Sequence, residues 1–144
     1  MEKSVDLYEF TRLNMGIKGN AIETYSPLTL AYIGDAVYEL VIRTVVVTSG
    51  NAQVNKLHKK SSDLVKAETQ AKMIKLLKEE LTDEEMTIYK RGRNAKSYTS
   101  AKNASMSDYR NATGFEALMG YLYLTSQSER MEQLIKIGLE TVNE

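Results

Sequence analysis

The stretch Leu30-Ala31-Tyr32-Ile33-Gly34-Asp35-Ala36-Val37-Tyr38-Glu39-Leu40 sets a carboxylate in the middle of an apolar helix. Leu30, Ile33, Val37, Leu40, Val41 and Val45 recur at helical spacing up to Gly50. Ahead of them Ser26-Pro27 reads as an N-cap followed by proline at the first helical position. Asp35 has apolar neighbours on both sides and follows a glycine, which lets another backbone come close. A charge on such a face is costly unless something pairs with it, so Asp35 needs a reason.

A second stretch repeats the pattern. In Ala112-Thr113-Gly114-Phe115-Glu116-Ala117-Leu118-Met119-Gly120, Glu116 again sits among apolar side chains with glycines nearby. Either carboxylate alone reads as a cap or a partner for a lysine. Two of them on core-like helices look more like a shared metal site. A hard cation such as magnesium prefers oxygen ligands and keeps several waters, so two carboxylates can anchor it against a phosphate. An ion held in this way activates water and stabilises transition-state charge, the usual route to phosphodiester hydrolysis without histidine pairs. The single histidine, His58, rules out paired-histidine chemistry within one chain, and among lysines it reads as a surface or packing residue. Glu39, one turn after Asp35, is a conceivable third carboxylate, but a pair with Arg43 four residues on is the commoner arrangement.

The remaining chain also reads as helix. Val54, Leu57, Leu64, Val65, Met73, Ile74 and Leu77 keep the spacing from Ala52 to Leu81, with a break expected near Ser61-Ser62. Thr82-Asp83-Glu84-Glu85 is a capping box that starts a helix running to about Arg91. Gly92 to Ser107 lacks apolar periodicity and reads as a long, basic, exposed loop. Ser107 or Asp108 then caps a helix through Glu116, and Ser128 caps a last one. The expected fold class is all-α, in one domain spanning residues 1–144.

With no cysteine among 144 residues, disulfides, thiolate zinc sites and cysteine nucleophiles are excluded, and a reducing cytoplasm fits. The first residues, Met1-Glu2-Lys3-Ser4-Val5-Asp6, carry acids and no apolar run, so no secretory or transit signal is expected. The apolar run Tyr38 to Val47 is interrupted by Glu39 and Arg43 and does not reach the ~20 residues of a membrane span. Nineteen basic side chains balance nineteen acidic ones, but they are sorted along the chain. Seven lysines stand between Gln53 and Lys78, and six basic residues between Lys90 and Arg110.

The stretch around Asp35 resembles the signature helix of ribonuclease III nuclease domains, with its Leu-Gly-Asp-Ala-Val type core, and the stretch around Glu116 resembles that family's second acidic motif. Arg91-Gly92-Arg93-Asn94-Ala95-Lys96 and Tyr109-Arg110-Asn111-Ala112-Thr113-Gly114-Phe115-Glu116 are similar to the Mini-III ribonucleases, a likeness over nearly the whole chain. The resemblance implies an all-helical ribonuclease III fold in a two-fold homodimer, without a double-stranded RNA-binding domain. It implies magnesium-dependent cleavage of RNA duplexes to 5′-phosphate and 3′-hydroxyl ends, with manganese a possible substitute, in 23S ribosomal RNA maturation. A ribosomal protein could accompany the precursor RNA. Asp35 and Glu116 match the family's catalytic metal ligands. Two positions depart from the larger ribonuclease III pattern: Ala31 stands where a Glu is expected and Thr113 where an Asp is expected. Two carboxylates hold fewer ions than four, though the Thr113 hydroxyl or water can complete a shell.

Duplex RNA presents phosphates and 2′-hydroxyls rather than readable base edges, so its binding surface needs cations and small hydrogen-bonding side chains. Arg91, Arg93, Lys96 and Lys102 are the candidates for phosphates, and Asn94, Ser97, Asn103 and Ser105 for sugars or phosphates. The alternative for this segment is a solvated loop. Tyr32, Tyr38, Tyr121 and Tyr123 fall in helical stripes and suit core or dimer packing, and the apolar face from Tyr38 to Val47 is the expected dimer face. The competing functions are a ribonuclease III-like RNA-binding or ribosome-assembly subunit without catalysis, and a helical protein adaptor.

Overall fold

A computed structural model describes residues 6–96 and 105–142. Among them the chain forms seven α-helices and no strand: α1 (Leu7–Met15), α2 (Pro27–Thr48), α3 (Val54–Val65), α4 (Ala67–Leu77), α5 (Asp83–Asn94), α6 (Met106–Leu124) and α7 (Ser128–Val142). Short 3₁₀ turns, Ile22–Thr24 and Lys78–Glu80, lead into α2 and out of α4.

The core is built around α6, which packs against α2, α4, α5 and α7. Its residues Ala112 to Leu122 are all buried except the half-buried Glu116, so its apolar residues follow no single stripe. Glycines set how closely the neighbours approach. A methyl group on Gly34 of α2 would overlap the carbonyl oxygen of Glu116, and one on Gly120 would overlap that of Leu30. On the opposite side, a Cβ on Gly92 would come within 2.9 Å of the Gly114 Cα. Thus α6 is crossed at near backbone contact by α2 and by α5. Tyr38 joins the layers: its ring meets Phe115 edge-on at 5.1 Å, and its hydroxyl donates to the Leu64 carbonyl at 2.7 Å.

Several boundaries differ from the sequence reading. The break expected at Ser61-Ser62 falls at Lys66, because the Ser61 hydroxyl donates back to the Leu57 and His58 carbonyls and is satisfied inside α3. Carbonyls at the end of α3 are met instead from α4, by the Thr69 hydroxyl on Asp63 (2.6 Å) and the Gln70 amide on Val65 (2.6 Å). Helix α5 continues to Asn94, and α6 is capped by Ser105, whose hydroxyl accepts from the Asp108 amide at 3.0 Å. Helix α1 was not anticipated. Asp6 caps it and Gly16 ends it in the left-handed conformation, but none of its residues is buried, so no core stripe announced it.

The capping box at Thr82 does more than start α5. Glu85 accepts from the Thr82 amide at 2.9 Å and also receives two bonds of 2.9 Å from Arg130 of α7, whose guanidinium reaches on to the Glu80 carbonyl. Glu85 is 5% exposed, and the Arg130 hydrogen bond is the main reason its carboxyl lies below the usual range. Replacing Arg130 by Met strands that charge and is expected to cost about 3 kcal/mol, a drop of about 8 °C in thermal midpoint at pH 7. Because the folded value is depressed, this stabilisation is complete above the ordinary Glu value near 4.3 and is lost as pH falls through the folded one. The midpoints of wild type and variant should therefore converge in acid; a gap that stays constant to pH 3 would contradict this assignment.

Candidate active site

The close crossing of α2 and α6 places Asp35 beside Glu116. Both line a cleft of about 600 Å³ with Leu28, Ala31, Tyr32, Ile33, Ala36, Glu39, Tyr109 and Thr113. Asp35 is not buried as the apolar pattern suggested. Its neighbours Leu30, Ala31, Gly34, Val37 and Tyr38 take the inward face of α2, which turns Asp35 out onto the cleft wall. Glu116 is half-buried and lines the same cleft from α6.

Burial first, and then the charge of Asp35 and a hydrogen bond shared with it, push the Glu116 carboxyl well above the usual carboxylate range. Two carboxyl groups share this space, and among the described residues no lysine or arginine forms an ion pair with either. The Gln70 amide, 3.4 Å from Glu116 Oε2, acts in the opposite sense and favours the ionised form. Burial and the charge of Glu116 also raise the phenol of Tyr38.

The two departures from the larger ribonuclease III pattern open onto this same cleft: Ala31 contributes a methyl group and Thr113 a hydroxyl. The Thr113 hydroxyl donates to the Tyr109 carbonyl at 3.0 Å, which leaves its oxygen able to accept from water or face a cation. Among the described residues no group of three or more carboxylates and histidines could enclose a metal. Oxygen-rich, negatively charged and without a counter-ion among the described residues, the pair still suits magnesium, which is usually held by one or two carboxylates together with waters and substrate phosphates. Glu39 lines the cleft but is paired with Arg43 at 3.2 Å, as its spacing predicted.

The raised Glu116 carboxyl makes the metal-free fold less stable as pH rises. Folding without metal holds a proton that the unfolded chain releases near pH 4.3, so the site costs stability as pH rises from there towards the folded value. With chelator present, the thermal midpoint of wild type should fall over that interval, and that of Glu116→Gln should fall less. Equal slopes for the two proteins would contradict the crowding of charge described here.

The basic residues expected to meet RNA divide into groups. Arg93 and Asn94 lie on the last turn of α5 and line a polar hollow with Lys78, Met106, Ser107, Arg110 and Asn111. Arg93 stacks over the Tyr89 ring at 5.6 Å, and Lys78 lies 5.6 Å from the same ring. Arg91 and Lys96 are exposed, whereas Lys102 and Asn103, like Ser97, lie outside the described residues. Ser105 is occupied as a cap. Lys78 and Arg110 were not singled out from sequence, because they join this hollow only when α4 and α6 pack together. His58 is exposed in a separate, apolar hollow with Val46, Val47, Val54 and Leu57.

An all-helical nuclease domain of ribonuclease III type is what this fold and cleft define, and the sequence profile of the Ribonuclease III domain matches residues 28–127. Proteins named Mini-ribonuclease 3 are similar along most of their length. That of Clostridium tetani is 50% identical over 85% of this chain and 82% of its own. That of Thermoanaerobacter sp. is 44% identical over 100% of both. The Staphylococcus aureus protein is 46% identical over 87% of this chain and 95% of its own. A crystal structure of a Fusobacterium nucleatum protein superposes with a TM-score of 0.76 at 31% identity, covering 85% of this chain and 98% of that one. The chain belongs to the Mini-ribonuclease 3 family of ribonuclease III-type endoribonucleases.

Proposed function

We propose that the chain cleaves double-stranded RNA with magnesium held by Asp35 and Glu116, leaving 5′-phosphate and 3′-hydroxyl ends, and that it acts in 23S ribosomal RNA maturation. The observation that carries this reading is the meeting of two carboxylates from separate core helices in one open cleft, with no cationic partner among the described residues. When bound, the cation supplies an activated water and stabilises charge on the phosphate. The chain's own residues do the rest. Asp35 and Glu116 would hold the cation, the α2–α6 crossing fixes how far apart the two carboxylates stand, and Thr113 offers an uncharged oxygen. Arg91, Arg93 and Lys96 supply positive charge for phosphates along the duplex, with Asn94 beside them. Manganese, also satisfied by oxygen ligands, can replace magnesium.

Cutting both strands needs two sites, which suits a two-fold homodimer. Of the dimer face expected between Tyr38 and Val47, Tyr38, Ile42 and Val46 are buried in the chain's own core, whereas Leu40, Val45 and Val47 remain exposed. Leu28 and Tyr32, the latter 82% exposed, are further exposed apolar side chains of α2 and line the cleft of Asp35 and Glu116. A cytoplasmic setting fits this reading, and among the described residues no helix is long and apolar enough to cross a membrane.

The test uses one RNA sequence as duplex and as single strand, with wild-type protein in magnesium and in chelator. Magnesium-dependent cutting of the duplex alone, with phosphate on the new 5′ ends, supports the reading. Salt-sensitive duplex binding without cutting would favour a binding or assembly subunit instead. Light scattering at micromolar concentration tests the dimer, which a monomer would remove.

A further inference from the structure

Gln70 is one of the few buried polar side chains among the described residues, 2% exposed, and its amide is only partly satisfied. Its Nε2 donates to the Val65 carbonyl at 2.6 Å and reaches Glu116 Oε2 at 3.4 Å. Its Oε1 is buried with no hydrogen-bond partner among the described residues. Such an orphan calls for an explanation, because buried acceptors are almost always paired. Turning the amide over would not relieve it: an oxygen would then stand 2.6 Å from the Val65 carbonyl, acceptor against acceptor. That contact therefore dictates the orientation and leaves Oε1 without a protein donor among the described residues. Capping α3 explains the bond to Val65, but neighbouring Thr69 already caps the same helix end through Asp63. What Gln70 adds is the contact with Glu116, made from α4 across to α6.

We infer that Gln70 is a positioning residue for Glu116, holding its carboxylate in the orientation that receives the divalent cation. This inference rests on the proposed metal-dependent reading of the cleft. Groups that hydrogen-bond a ligating carboxylate fix its orientation, and their loss typically lowers metal affinity or activity by about 10- to 100-fold.

The experiment compares wild type with Gln70→Met, which keeps the length and loses the donor, and with Thr69→Val, which disturbs the same α3–α4 junction without touching Glu116. Manganese binding is followed without RNA by the shift in thermal midpoint across a titration, since a ligand of the folded state alone stabilises it in proportion to its affinity. Duplex cleavage is then measured against magnesium concentration. Gln70→Met should weaken manganese binding and raise the magnesium needed for half-maximal cleavage by about tenfold or more, with KM for the duplex little changed. Thr69→Val should leave both metal readouts at wild-type values even if it lowers the midpoint without metal. Unchanged metal readouts in Gln70→Met, or equal changes in both variants, would overturn the inference while leaving the cleavage reading intact. A wild type that neither binds manganese nor cuts the duplex would overturn both. If wild type binds manganese without cutting, the cleavage reading alone fails and the binding comparison still decides the role of Gln70.

Discussion

Asp35→Asn should remove duplex cleavage almost entirely while leaving the protein folded and still able to bind RNA. Asp35 is exposed on the cleft wall and, among the described residues, in no ion pair, so the fold does not depend on its charge. Its carboxylate instead raises the proton affinity of Glu116, which is the mark of repulsion between like charges. The amide keeps the shape and removes that repulsion, so the variant should melt no lower than wild type in chelator. A cation held in the cleft would then face one carboxylate in place of two. Transition-state stabilisation by a bound metal amounts to several kcal/mol, and losing about 4 kcal/mol of it slows the reaction about a thousandfold. Rates from a labelled duplex at saturating magnesium check this, with circular dichroism confirming the fold. A variant that cuts at the wild-type rate would remove Asp35 from the site.

The second large effect is on folding. Gly34→Ala should destabilise the chain by about 3 kcal/mol or more, beyond the usual range for one added methyl group. The methyl group would overlap the backbone of α6 at Glu116, which has no side-chain rotamer with which to yield. Relief requires α2 and α6 to separate, and those helices carry the two carboxylates. The thermal midpoint should fall by about 10 °C, and cleavage should drop even well below the melting temperature because Asp35 and Glu116 are no longer in register. A midpoint within 2 °C of wild type, measured by calorimetry, would show that the crossing is not as tight as described.

The helices most legible in the sequence were those whose ends carry side-chain signals. Ser26-Pro27 and the Thr82–Glu85 box start α2 and α5 where expected. Asp35 and Glu116 could be singled out because a charge amid apolar neighbours is conspicuous, and glycines next to such charges hint at close helix packing. That Asp35 faces outward was not legible, since a helix that buries one face and lines a cleft with another reads as apolar almost throughout. Gln70 gave no local signal. Among lysines and small residues it looks like any solvent-facing glutamine, and only the packing of α4 against α6 brings it to Glu116. Lys78 and Arg110 likewise come to one polar hollow only through the packing of α4 and α6, which no local spacing shows.

The central claim, that Asp35 and Glu116 together hold the ion that cuts the duplex, is tested most directly on Glu116→Gln. Binding and cleavage of one RNA duplex would be measured side by side in magnesium and in chelator, with wild type as reference. Magnesium-dependent cutting by wild type, lost in a variant that still binds the duplex, is the predicted result. Cutting by the variant at an undiminished rate, or cutting by wild type in chelator, would contradict it.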